Sequence, residues 1–225
     1  MKGVFIILIS GFSLLSLIYL IKELREVRFL KQLLLRILGK KKLETLSDIS
    51  TLKMYLNENI RYNPEWKSKK RPLLRHTASQ ILTSNYGFCG ENARVSIKLF
   101  LLSGIKARRI YLFGTKWQHV VVEHEHESTW YLFDGHYDPK TVLGNDQIAQ
   151  IESDQIASYP NAYSENPYVD YCRIKLFYRI PLLRAWAKLR LPGSLVYFFE
   201  SPYLIQSYAL LNIALALLLF TLIKY

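Results

Sequence analysis

The sequence predicts an α+β domain with an antiparallel sheet, flanked by an N-terminal and a C-terminal transmembrane helix. Three observations carry this prediction. Apolar runs over 4–21 and 204–223 are each close to the length that crosses a bilayer core. A helical pattern from about Gly90 to Ser103 stops at Gly104, a residue suited to the position after a helix. Segments 105–113, 118–125 and 129–133 then follow in close succession, alternating and rich in β-branched and aromatic residues, as strands are. The expected organisation is 1–42 as a transmembrane and basic juxtamembrane helix, 43–172 as the globular domain, and 173–225 as a basic interfacial segment with the second span.

The first run, 4–21, is apolar apart from small hydroxyls, Gly11 and Tyr19. Only Lys2 precedes it and no small-x-small cleavage site follows, so it reads as an uncleaved anchor and not as a signal peptide. Residues 22–42 are basic, with Leu24, Val27, Leu30 and Leu34 at helical spacing. This pattern fits a helix packed on the domain or an amphipathic segment on the membrane surface, and direct exit from the bilayer favours the second. Residues 43–60 read as a helix, with Ser47 or Asp48 as caps of its second half. Pro64 and Pro72 make 61–74 a loop, 77–82 is a short helix, and Asn85-Tyr86-Gly87 is a turn. Residues 135–166 are polar and turn-rich, irregular with one short helix. From Arg173 onward, cations interleaved with Leu, Phe, Tyr and Trp186 suit a membrane interface.

The net charge of +12 raises the question of nucleic acid. The basic residues crowd beside the two apolar ends, however, where anionic lipid is the better partner and nucleic acid is not expected. Both spans carry their basic excess on the side of the central domain. By the positive-inside rule the domain is cytoplasmic, both termini point outward, and the expected setting is a bacterial cell membrane. Two cysteines make no disulfide framework, and a reducing compartment keeps Cys89 a free thiol.

Cys89 opens the 90–103 helix after a glycine turn, where the positive helix end lowers a thiol pKa and free N–H groups face a bound acyl oxygen. Gly87 and Gly90 leave room beside the sulfur, and Gly87 is placed to take a positive φ. If strands 118–125 and 128–134 form a hairpin centred between His126 and Glu127, Val121 faces Leu132, Glu123 faces Trp130 and His119 faces Asp134. Opposed residues lie about 5 Å apart at Cβ. An aspartate beside an imidazole fixes its tautomer and stabilises the imidazolium, so Cys89, His119 and Asp134 fill the roles of nucleophile, base and orienter.

The order Cys, His, Asp, with cysteine opening a helix and the others on successive strands, resembles the transglutaminase-like superfamily. The matching pieces are Gly87-Phe88-Cys89 with Ala93, the passage from Ser103 to Arg108, His119 to Glu123, and Trp130 to Asp134. The likeness covers about residues 75 to 140. It implies a papain-like core and thioester chemistry on amide bonds in a protein or peptide substrate, with Cys89 as nucleophile, His119 as base then acid, and Asp134 as orienter. No cofactor or metal is expected. Gly90 stands where the animal transglutaminases have tryptophan, and Asn85 is either an oxyanion donor or a turn residue.

Within that resemblance a cysteine peptidase or amidase is favoured over a protein-glutamine acyltransferase, because hydrolysis needs no second-substrate site. Three other readings stand beside it: a non-catalytic membrane-bound binding module on the same fold, a zinc hydrolase using His124, His126 and His136 near Asp138, and a nucleic-acid-associated protein. Cys172 lacks a comparable frame and reads as structural, and Trp117 and Trp130 as cleft or core residues.

Overall fold

The computed structural model describes residues 2–62, 76–136 and 166–224. The expected 61–74 loop, the irregular 135–166 region and Asp138 lie largely or wholly outside them. Helix α1 (Lys2–Leu38) is one continuous rod of 37 residues, about 56 Å long at about 1.5 Å per residue. No glycine or proline interrupts it between Gly11 and its end, and Gly39, at φ 71°, terminates it in the left-handed conformation. Its C-terminal part differs from the expectation of a membrane-surface segment. Leu30, Leu33 and Leu34 are buried in the same core as Ile49, Leu52 and Leu56 of α2 (Leu46–Asn59). The apolar stripe that would suit a lipid surface suits a protein surface equally, and here α2 and the helix Cys89–Leu102 supply that surface.

Short caps set the next elements. Thr45, not Ser47, caps α2, with Asp48 completing a capping box. Thr77 and Gln80 form the same device for α3 (Ala78–Ser84), which ends at Asn85 in the left-handed region, φ 58°. Helix α4 (Cys89–Leu102) is the buried centre, with every residue from Gly90 to Phe100 inaccessible or nearly so. Gly104, at φ 85°, follows its C-cap Ser103 as the sequence predicts.

Strands β1 (Ala107–Gly114), β2 (Gln118–His126), β3 (Thr129–Phe133) and β4 (Tyr168–Cys172) form an antiparallel sheet in the order β3-β2-β1-β4. The α+β class is therefore as expected. On one face Val122, Phe133 and Ala107 join the core around α4, while Ile110, Leu112, Val121 and Leu132 form a smaller core on the other. Strand β4 has no counterpart in the sequence reading. Its five residues carry Asp170 in the middle and lack a sustained alternation.

After α5 (Lys175–Arg179) and a 3-10 helix at Pro181–Lys188, α6 (Gly193–Glu200) runs into α7 (Pro202–Lys224). Helices α1 and α7 are both long and apolar enough to cross a membrane. They pack antiparallel, with Phe5 against Phe220, Ser16 against Ser207 and Tyr19 against Tyr203. The Ser16 hydroxyl donates to the Ser207 carbonyl at 2.9 Å. Away from that seam Ile7, Leu14, Leu211 and Leu222 are exposed, unlike the apolar residues of a soluble core helix.

Candidate functional site

Cys89 is the first residue of α4. Phe88, the residue before it, has no side-chain acceptor for the helix end, so Glu91 supplies the cap alone. Its Oε2 accepts the Phe88 N–H at 3.0 Å while Oε1 meets His76 Nδ1 at 2.8 Å. The N–H groups of Glu91 and Asn92 donate to the Phe88 carbonyl. Those of Cys89 and Gly90 donate to no backbone carbonyl among the described residues, as the first positions of a helix require. Gly87 does not have the positive φ expected of it. It is required for close packing instead, since a Cβ there would sit 3.1 Å from Ile60 and 3.2 Å from Ile81.

Cys89, His119 and Asp134 come together. His119 Nε2 is 2.6 Å from Asp134 Oδ2, and both side chains are buried. The imidazole also hydrogen-bonds to the Cys89 sulfur, which takes a second bond from the Val120 N–H. The hairpin register differs from the expected one. Val122 pairs with Phe133, Glu123 with Leu132 and Glu125 with Trp130, because the turn is Glu127-Ser128, both residues in the left-handed region. This displaces the pairing by two residues, which keeps every side chain on its face. His119 and Asp134 thus meet as diagonal neighbours where direct opposition was expected.

The electrostatics follow from the contacts. Burial disfavours the Cys89 thiolate, but the His119 hydrogen bond and charge and the Val120 N–H outweigh it, so the thiol pKa falls below its ordinary 9.0. Burial likewise opposes charge on His119, and Asp134 overcomes it, raising the imidazole from 6.5 to about 10. The two shifts have opposite linkage. The His119 contribution to stability is complete below about pH 6.5 and is lost as pH rises through about 10. The Cys89 contribution is present above pH 9.0 and is lost as pH falls through the lowered thiol pKa. Between the two folded-state pKa values the site holds a thiolate–imidazolium pair.

Three further residues fix this geometry. The His136 N–H donates to Asp134 Oδ1 at 2.9 Å, which leaves Oδ2 for His119. Asn92, one turn after Cys89, presses on Gly135 so closely that a Cβ there would lie 2.2 Å from Asn92 Oδ1. Asn92 Oδ1 also accepts from Ser96 Oγ at 3.3 Å, and the buried Asn92 Nδ2 has no hydrogen-bond partner among the described residues. Asn166 bridges the β1–β2 turn ahead of His119, accepting from Lys116 N at 2.8 Å and donating to the Trp117 carbonyl at 2.9 Å. The sequence signal for Asn92 and Gly135 was present, an amide three residues after the cysteine and a glycine after the aspartate, but only the packing gives it meaning.

The other nominated residues lie elsewhere. Asn85 is the exposed C-cap of α3, a turn residue. His124 stacks on Phe100 at 4.8 Å inside the core, and burial and the nearby His126 push its pKa down to about 3. Among the described residues no three His, Cys, Asp or Glu side chains are grouped to hold a metal, and Asp138 lies outside them. Cys172 is fully buried in β4, where burial raises its thiol to about 11. Trp130 packs against Arg108, at 3.9 Å from the guanidinium, and Trp117 is exposed.

Residues 31–135 match the family model described as Transglutaminase-like superfamily. No curated protein gives a significant match. Among solved structures, a candidate cysteine protease from Cytophaga hutchinsonii is similar at 17% identity and a TM-score of 0.43, over 65% of this chain and 43% of that one. This chain thus spans less than half the length of that structure.

Proposed function

We propose that this chain, a member of the transglutaminase-like superfamily through residues 31–135, is a membrane-anchored thiol enzyme that cleaves amide bonds through a Cys89 thioester. The observation that carries the reading is the contact of His119 with both Asp134 and the Cys89 sulfur at the start of a buried helix. Three groups in this relation have the form of a nucleophile, a base and an orienter.

In the first half-reaction the Cys89 thiolate attacks the amide carbon, forming the C–S bond and moving the π electrons onto oxygen. The N–H groups of Cys89 and Gly90, which donate to no backbone carbonyl among the described residues, serve as donors for that oxyanion. The His119 imidazolium gives its proton to the nitrogen, the C–N bond breaks, and amine or ammonia leaves. In the second half-reaction neutral His119 takes a proton from water as the water oxygen attacks the thioester. The C–S bond then breaks to release a carboxylic acid, and the thiolate–imidazolium pair is restored. Asp134 keeps the ring oriented throughout.

Hydrolysis is the preferred outcome, giving a cysteine peptidase or amidase that acts on a protein or peptide and uses no cofactor in these steps. Helices α1 and α7 form the anchor. The domain faces the cytoplasm, and both termini lie across the membrane with the smaller share of basic residues. The test is single-turnover acylation of the detergent-solubilised full chain by peptide amides. Stoichiometric release of amine or ammonia with acylation at Cys89 supports the proposal. Amide turnover by Cys89→Ala at the wild-type rate would refute it.

A further inference from the structure

His136 takes no part in the proposed half-reactions, yet it touches both sides of the site. Its main-chain N–H donates to Asp134 Oδ1 at 2.9 Å. Its imidazole hydrogen-bonds to the Phe88 carbonyl, the oxygen of the peptide that joins Phe88 to Cys89. Its own carbonyl accepts the side-chain N–H of Asn57, near the end of α2, at 3.0 Å. One residue thus links the turn after β3, the start of α4 and the end of α2.

These contacts close a circuit. From the Cys89 sulfur the path runs to the His119 imidazole and on to Asp134 Oδ2 at 2.6 Å. From Asp134 Oδ1 it passes to the His136 main chain, and the His136 side chain returns it to Phe88 and so to Cys89. Cys89 and Asp134 sit on separate elements, α4 and the turn after β3, and His119 reaches across between them. Its two hydrogen bonds hold only while those elements keep their spacing, and a catalytic set needs placement within about 0.5 Å.

The Phe88 peptide suits such a link. Its carbonyl accepts the N–H groups of Glu91 and Asn92, and the Phe88 N–H is held by Glu91, so this segment moves only with the helix end. A further donor on that oxygen therefore holds Cys89 as well. Burial, with the nearby His119 charge, keeps the His136 pKa below its ordinary 6.5, although Asp134 and the Phe88 carbonyl oppose the shift. At neutral pH the ring is uncharged and has a single N–H to give.

We infer that His136 is a positioning residue for the proposed reaction, its ring N–H fixing the separation of Cys89 from Asp134 through the Phe88 carbonyl. The inference rests on the reading of Cys89, His119 and Asp134 as the reactive set.

The test is the pH profile of Cys89 alkylation in the detergent-solubilised full chain, with Cys172→Ser as background. His136→Phe keeps a ring and the main-chain bond to Asp134 but has no side-chain donor. Its Cys89 should label about tenfold more slowly at neutral pH, with the profile displaced to higher pH, since a misplacement of about 1 Å can cost about 10²-fold. His136→Asn and His136→Gln restore an N–H at the reach of Nδ1 and of Nε2 respectively, and at least one of them should return to the wild-type profile. Circular dichroism checks each fold, and His136→Ala is the donorless variant if His136→Phe does not fold. A wild-type profile in the donorless variant, or the same displacement with and without a donor, would overturn the inference. An ordinary thiol profile in the wild type would defeat the reactive set itself, whereas an activated wild type unaffected by loss of the donor defeats the role of His136 alone.

Discussion

Helix α4 carries two buried charged assemblies, and they differ in kind. At its start, Cys89 is only partly buried, and it touches a His119–Asp134 pair whose charge balance holds the thiol below its ordinary pKa. On its flank, Lys98 is wholly buried, bonded to Glu23 at 2.7 Å and Glu26 at 2.5 Å. Tyr197 donates to Glu23 and Ser79 to Glu26. Those partners come from α1, α3 and α6, so the second assembly ties α4 to the long apolar helix α1. The first holds the proposed nucleophile, partly exposed; the second offers nothing to a substrate. Buried charge alone therefore does not mark a catalytic site. The mark is a reachable nucleophile whose protonation its neighbours control.

Single substitutions should separate the two. Cys89→Ala should reduce amide turnover by at least about 10³-fold with no change in melting temperature, as befits a nucleophile. Lys98→Met should do the reverse. It leaves two buried carboxylates without their cation and should cost about 3–5 kcal/mol in chemical denaturation, while Cys89 in the remaining folded protein still labels. If Lys98→Met is as stable as wild type, the flank assembly is not what joins α1 to α4.

Smaller changes sharpen the same contrast. Gly135→Ala would place a methyl group against the Asn92 amide and should cost about 1–3 kcal/mol, displacing Asp134 and slowing Cys89 alkylation. Unaltered alkylation would mean that the 134–136 turn does not set the site. His124→Leu should be neutral or stabilising by about 1 kcal/mol, since neither buried ring nitrogen has a hydrogen-bond partner among the described residues. A large loss of stability or of labelling there would give His124 a role that its surroundings do not indicate.

Much of this was legible in the sequence, and the misses have physical causes. The meeting of His119 with Asp134 survived a wrong register because the error was an even number of residues. A slip of one would have put them on opposite faces. The turn was misplaced because Glu127-Ser128 lacks the glycine or asparagine that usually announces two left-handed residues. The burial of Leu30 and Leu34 was missed because an apolar stripe does not say whether lipid or protein will cover it. Gly87 and Gly135 looked like sources of backbone freedom or simple turns. Their neighbours show that both are needed for close approach. The Cys89 end of α4 was readable because its partners His119 and Asp134 lie on the strands that follow α4 in the chain and carry a recognisable pattern. The Lys98 flank was not, because its partners lie 72 and 75 positions away.

The most direct test of an activated thiol is the pH profile of Cys89 alkylation in the detergent-solubilised full chain, with Cys172→Ser as background and His119→Ala as comparison. Cys89 should keep labelling below pH 9.0, where an ordinary thiol becomes protonated, since its pKa is lowered from that value and His119 keeps its proton to about 10. In His119→Ala, burial acts on the thiol without the imidazolium, so labelling at neutral pH should fall by at least about tenfold. A Cys89 that titrates as a free thiol and labels equally with or without His119 would contradict the account, leaving a tethered domain with no activated nucleophile.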